Sequence, residues 1–222
     1  MILSKPSQYI KGWVEFYKLK FKVTPDVLIP RPETELLIDE VLSFARPGLA
    51  RLTILDLGTG SGNIAISLAS HLRGVNVNII ATDVSKKALA VAKQNAKLHG
   101  VLNRIEFIES NLLEKITRQP DIIVTNLPYI PNYRIPYLDS SVKDFEPHVA
   151  LDGGNDGFEL YRKLFQQINK RGWKIKLIIG EIDYTHGELA IQEAQRYFPK
   201  AKVEVKLDLA QNIRVLIIQT CS

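Results

Sequence analysis

Short apolar runs and amphipathic stretches alternate along most of this chain. Thr53–Leu57, Val77–Asp83, Ile105–Ile108 and Asp121–Thr125 are runs of strand length, apolar nearly throughout. Such runs suit strands covered on both faces. Asn63–Leu72, Lys86–His99, Phe158–Asn169 and Glu188–Tyr197 repeat apolar residues at three- and four-residue spacing, which predicts helices. Lys174–Glu181 adds a fifth strand. Val203–Leu207 and Ile213–Gln219 follow with no helix between them, so they are expected to pair antiparallel. The alternation predicts an α/β protein with a doubly wound, seven-stranded mixed sheet.

Ahead of the sheet, residues 9–23 alternate apolar and basic positions, the period of a half-exposed hairpin. Pro30-Arg31-Pro32 punctuates the chain. A helix is expected to begin at Pro32, where proline suits the first helical position and Glu33 and Glu35 suit the positive end of the dipole. Leu36, Leu37, Val41, Leu42 and Ala45 mark its buried face. This divides the chain into an N-terminal extension with a β-hairpin, residues 1–31, and a main domain, residues 32–222. Residues 126–154 are Pro-rich and irregular, too long for a plain connector, and are expected to carry function.

Composition removes several classes of chemistry. The chain has 222 residues, a formal charge of +5 and no Lys/Arg run of the kind that marks a basic tail, so charge argues only weakly for an acidic or ribosomal partner. Cys221 is the single cysteine, which excludes an internal disulfide and a thiolate metal cluster. His71, His99, His148 and His186 are scattered without a helical pair, so no metal is expected. No apolar run approaches a membrane span, and Met1–Phe16 is too charged for a signal peptide. The expected location is the cytoplasm.

The candidate chemistry lies in two loops. Gly58-Thr59-Gly60-Ser61-Gly62 follows the first sheet strand and opens a helix. Its glycines permit a tight turn and close approach of a ligand to the backbone. No P-loop lysine follows, so nucleotide phosphates are not the natural ligand. Asp83 closes the second strand, where an acid can accept from both ribose hydroxyls of a nucleoside; helix capping is the competing role, for which Ser85 is better placed. Asn111 lies where a side chain can reach an adenine edge, or is a plain loop residue. Asn126-Leu127-Pro128-Tyr129 follows the fourth strand. It offers an amide oxygen, a backbone carbonyl and a flat ring, the parts needed to hold a planar NH2 group. The two loops together suggest group transfer onto an amide or exocyclic amine nitrogen.

With these residues in view, the chain resembles the class I S-adenosylmethionine-dependent methyltransferases. Within them it is similar to the HemK/PrmC family, which methylates the side-chain amide nitrogen (N5) of a glutamine in peptide-chain release factors. The resemblance rests on Val27-Leu28-Ile29-Pro30-Arg31-Pro32-Glu33-Thr34-Glu35-Leu36-Leu37, on Asp56–Gly62, and on Asn126–Pro131, the family's Asn-Pro-Pro-Tyr box with leucine in second place. Glu146-Pro147, Ala150-Leu151, Gly153-Gly154, Asp156-Gly157 and Asp208-Leu209-Ala210 add to it. It implies a Rossmann-like fold with residues 32–222 as catalytic domain. S-adenosyl-L-methionine would be held by Gly58, Thr59, Gly60, Ser61, Gly62, Asp83, Asn111, Leu112 and Asn126. Asn126, Leu127, Pro128 and Tyr129 would be catalytic, and Asn126, Pro128, Tyr129, Arg31 and Glu33 would meet the substrate. The implied partner is a release factor carrying a Gly-Gly-Gln motif, with no membrane and no nucleic acid as direct substrate.

Four departures stand out. The chain holds little of the family's usual N-terminal helical domain. Asn111 stands where Asp is common, and Leu112 where an aromatic can cover adenine. Leu127 replaces a proline, at a position used for its carbonyl. Three alternatives stay open: an amino-group methyltransferase acting on nucleic acid at adenine N6, one acting on a ribosomal-protein glutamine, and a non-catalytic S-adenosylmethionine-binding partner.

Overall fold

A computed structural model gives the structure of residues 5–45 and 51–220; Cys221 lies outside them. The short helix α1 (Ser7–Lys11) ends at Gly12, whose φ of 77° and N–H bond to the Gln8 carbonyl stop it. The hairpin β1 (Trp13–Phe16) and β2 (Leu19–Lys22) therefore begins four residues later than the alternation suggests. A single 3₁₀ turn over Pro32–Thr34 precedes α2 (Glu35–Phe44), so proline initiates as expected but the α-helix proper starts at Glu35.

The alternating part follows as β3 (Leu52–Leu57), α3 (Asn63–His71), β4 (Val77–Asp83), α4 (Lys86–Leu98), β5 (Ile105–Glu109) and β6 (Ile122–Thr125). The long loop after β6 contains only α5 (Ser140–Lys143) and two 3₁₀ turns, and it closes on itself where Ile130 bridges to Asp152. Then come α6 (Glu159–Lys170), β7 (Leu177–Glu181), α7 (Gly187–Tyr197), β8 (Lys202–Leu207) and β9 (Ile213–Gln219).

The seven strands lie in the order β5-β4-β3-β6-β7-β9-β8. The first five are parallel, and β9 runs antiparallel between β7 and β8. Each face has its own apolar core. Ile54, Ile79, Ile122, Val124 and Ile179 pack with Leu37, Ile38 and Val41 of α2, Ile64 and Leu68 of α3, and Phe16 and Phe21 of the hairpin. Leu55, Leu57, Ile80, Ile123 and Ile178 pack on the other face with Tyr161, Leu164, Phe165 and Ile168 of α6. This double coverage is why β6 and β7 are buried at every position and read as unbroken apolar runs.

The topology places the site. From β3 the chain steps outward to β4 and β5, then crosses back to β6 on the other side of β3. The carboxyl ends of β3 and β6 thus flank a switch point, where an open α/β sheet leaves a crevice. Leu57 pairs with Thr125, so the glycine loop and the Asn126 box leave the sheet side by side.

Gly62 holds the glycine loop to the helices. Its φ is +84°, and a Cβ there would stand 2.7 Å from Ile66 Cδ1 and 3.1 Å from Ala92 Cβ. Gly62→Ala should cost about 2–4 kcal/mol through left-handed strain and overpacking. Urea unfolding reads this as a lower midpoint; an unchanged midpoint refutes it.

Candidate active site

A cleft of about 270 Å³ opens at the switch point. Gly58, Thr59, Gly60, Ser61 and Asp83 line it, together with Asn126, Leu127 and Pro128. Asn111 and Leu112 line it too, as do Arg31 and Thr34 from the segment before α2. Gly62, Tyr129 and Glu33 do not line it.

Gly58, Gly60 and Gly62 all have left-handed φ, between 54° and 84°. At Gly60 a Cβ would meet nothing within 4 Å, which leaves that stretch of backbone open to the cleft it lines. Asp83 stabilises this turn: its Oδ2 accepts from the Gly60 N–H at 2.9 Å and its Oδ1 from the Ser85 N–H at 2.8 Å. Ser85 caps α4 by accepting from the Ala88 N–H at 3.2 Å, so Asp83 is not the cap. Burial pushes the Asp83 carboxyl above the usual carboxylate range, against the backbone N–H groups that lower it.

Beneath the loop, Asp56 is fully buried. Its Oδ2 accepts from Thr59 Oγ1 at 2.6 Å and from the Ala65 N–H at 3.1 Å, while Oδ1 has no hydrogen-bond partner. Burial raises its carboxyl from 3.8 to about 7, outweighing the Thr59 and Ala65 bonds that lower it. Between those values the folded chain keeps a proton that the unfolded chain has released, so stability falls as pH rises through that window. The Asp56 share is on the order of 4 kcal/mol. In the ligand-free protein the unfolding free energy of wild type relative to Asp56→Asn should therefore decline from pH 4 to 7. An unchanged slope in the variant contradicts this.

The box after β6 is tied to two other segments. Asn126 Nδ2 donates to Thr34 Oγ1 at 3.2 Å, and Thr34 Oγ1 donates to Glu181 Oε2 at 2.6 Å. The Tyr129 hydroxyl donates to Glu181 Oε1 at 2.9 Å. Among the described residues, no N–H or O–H donates to Asn126 Oδ1 or to the Leu127 carbonyl. The Leu127 side chain is buried in the core on the α6 face of the sheet. Arg31 pairs with the buried Glu146, which also accepts from the Ile29 N–H, and this joins the Pro-rich segment to the long loop. Asn111 Nδ2 is engaged by Glu114 at 3.1 Å. Leu112 has a φ of +49° and is buried.

Sequence reasoning gave no role to Glu181, and to Thr34 only a place in a motif. Glu181 ends β7, a carboxylate closing an otherwise apolar buried strand beside the switch point. That placement was the available signal. Thr34 gave none, because a threonine in the first turn of a helix is ordinary.

Known proteins share this chain's pattern. The release factor glutamine methyltransferase of Lactococcus lactis is 40% identical over 216 residues, covering 97% of this chain and 78% of that protein. Those of Geobacter sulfurreducens and Flavobacterium psychrophilum are 40% and 39% identical, with 64% and 74% of their lengths covered. The chain belongs to the release factor glutamine methyltransferase family. A methyltransferase-domain family model matches residues 50–172, in line with that membership. The catalytic domain of human METTL16, solved with a MAT2A 3′UTR hairpin, superposes with a TM-score of 0.74 over 93% of this chain and 77% of that one, at 16% identity. That likeness concerns the fold, the seven-stranded class I methyltransferase sheet. Among the described residues, no helix is long and apolar enough to cross a membrane.

Proposed function

We propose that this protein transfers a methyl group from S-adenosylmethionine to the side-chain amide nitrogen of a protein glutamine, in the Gly-Gly-Gln motif of a release factor, in the cytoplasm. The observation that carries the reading is the pair of unengaged acceptors, Asn126 Oδ1 and the Leu127 carbonyl, on residues that line the same cleft as the glycine loop.

The cleft fits the methyl donor. The Asp83 carboxylate has lone pairs left for ribose hydroxyls beyond the two N–H groups it already accepts. Val84, 54% exposed and lining the cleft, and Leu112 offer apolar surface for a flat base. The open backbone at Gly60 allows close approach. When bound, S-adenosylmethionine supplies an electrophilic methyl on a sulfonium.

A glutamine amide nitrogen is a poor nucleophile, because its lone pair is delocalised into the carbonyl. Asn126 Oδ1 and the Leu127 carbonyl each accept one of its hydrogens and aim the nitrogen along the cleft. As the nitrogen gains positive charge both bonds strengthen, so the stabilisation grows toward the transition state. Pro128 fixes the turn that holds the two acceptors. The Tyr129 hydroxyl donates to Glu181 and so anchors the box next to the two acceptors. In-line positioning supplies the rest, and the proton leaves to water. Arg31 acts indirectly, since its guanidinium is bound to Glu146.

The test is incubation with labelled methyl donor and a release factor bearing its Gly-Gly-Gln loop, beside tRNA, rRNA and DNA. Label in the glutamine amide is the expected result. Label in adenine, or in none of the four, overturns it.

A further inference from the structure

We infer that Thr34 is a positioning residue for the methyl transfer: its hydroxyl, ordered by Glu181, locks the Asn126 carboxamide with its oxygen toward the cleft. The inference rests on the glutamine-methylating reading and adds to it the device that fixes which end of Asn126 meets the substrate.

Counting protons fixes the orientation of the Asn126 amide. Thr34 and Glu181 are each about 1% exposed, so their hydrogen bonds are made within the protein. A threonine hydroxyl has one proton. At 2.6 Å that proton belongs to the Glu181 carboxylate, which can only accept while ionised. Thr34 Oγ1 can therefore face Asn126 only as an acceptor. The Asn126 amide must present its NH2 to Thr34, at 3.2 Å, and its oxygen goes the other way. Without that constraint the amide could turn over and offer NH2 to a substrate NH2, donor against donor. Glu181 spends its second oxygen on the Tyr129 hydroxyl at 2.9 Å, so one carboxylate orients both ends of the box. The Tyr161 hydroxyl, donating to the Glu181 backbone carbonyl at 2.6 Å, holds the end of β7 in place.

The relay also has a polarity that pH can reverse. Protonated on Oε2, Glu181 donates to Thr34 Oγ1 instead of taking its proton, which frees the hydroxyl to donate to Asn126 Oδ1 and turn the amide around. The groups facing Glu181 are Thr34, Tyr129, Tyr161, Arg214 and Glu33. Burial raises its carboxyl above the ordinary range, with Glu33 adding to the rise and Thr34, Tyr129 and Arg214 opposing it.

The experiment compares wild type with Thr34→Val, Thr34→Ser and Glu181→Gln, using the whole chain and a Gly-Gly-Gln release factor. Thr34→Val should lower kcat about 10-fold or more, while acceptor KM and the calorimetric Kd for S-adenosylmethionine stay within about twofold. Thr34→Ser keeps the hydroxyl and should stay within about threefold of wild type. The acidic limb of the kcat–pH profile should vanish in Glu181→Gln. Full kcat in Thr34→Val, equal impairment in Thr34→Ser, or an unchanged acidic limb each overturn the inference. If Thr34→Val does not fold, the serine variant and the pH limb decide. If wild type methylates no acceptor, the functional reading falls alone. Hydrogen exchange of the Asn126 side-chain NH2 then reads the relay: faster exchange in a folded Thr34→Val, or, if that variant does not fold, in Glu181→Gln, supports it and equal exchange refutes it.

Discussion

Asn126→Ala is expected to lower methyl transfer by about 10²-fold or more, the usual cost of removing one oriented hydrogen-bond partner from a transition state. The Kd for S-adenosylmethionine should move little, because the glycine loop follows β3 and Asp83 ends β4, while Asn126 follows β6. Stability should also hold. Asn126 is half-buried and makes one side-chain hydrogen bond, at 3.2 Å, to a threonine that keeps its bond to Glu181. The loss should appear in kcat with acceptor KM largely kept, since the second acceptor, the Leu127 carbonyl, is backbone and survives the substitution. Steady-state kinetics with a Gly-Gly-Gln acceptor read both constants. Activity equal to wild type would remove Asn126 from the chemistry.

Position by position, the sheet was legible because every one of its strands obeys a local rule. Ile122–Val124 is apolar because helices cover both faces, and Ile213–Gln219 follows β8 without a helix because the two strands pair antiparallel. The hairpin register was less legible, since Tyr9, Ile10 and Lys11 continue the apolar–basic alternation although Gly12 ends a helix there. The glycine loop, Asp83 and the Asn126 box could be read because each follows directly on a strand, so the order of strands brings them together. Tyr129 adjoins the box in sequence, yet does not line the cleft; its hydroxyl is held by Glu181. The ties between distant segments carry no local pattern. Thr34 to Glu181 and Arg31 to Glu146 each join residues more than a hundred positions apart, and partners of that kind depend on tertiary packing.

Asp83→Ala should strike the other half of the reaction. Its carboxylate has two tasks in the proposed complex, accepting the ribose hydroxyls and holding the Gly60 N–H at 2.9 Å so that the loop is preset. Hydrogen bonds to a charged group are worth about 1.5–3 kcal/mol each. Losing the ribose pair, partly replaced by water, should weaken S-adenosylmethionine binding by about 10²-fold, or roughly 2.7 kcal/mol. Folding without ligand should not suffer equally, because burial already penalises the ionised Asp83 and its removal relieves that cost. At saturating cofactor, kcat should return to within a few-fold of wild type, since the acceptors on Asn126 and Leu127 are untouched. Calorimetry and cofactor-saturation kinetics read the two quantities separately. A variant that binds the cofactor normally would show that Asp83 serves only the Gly60 and Ser85 turn. A kcat that stays low at saturation would show that the two loops act as one unit, and that the division between a cofactor half on β3–β4 and an acceptor half after β6 is wrong.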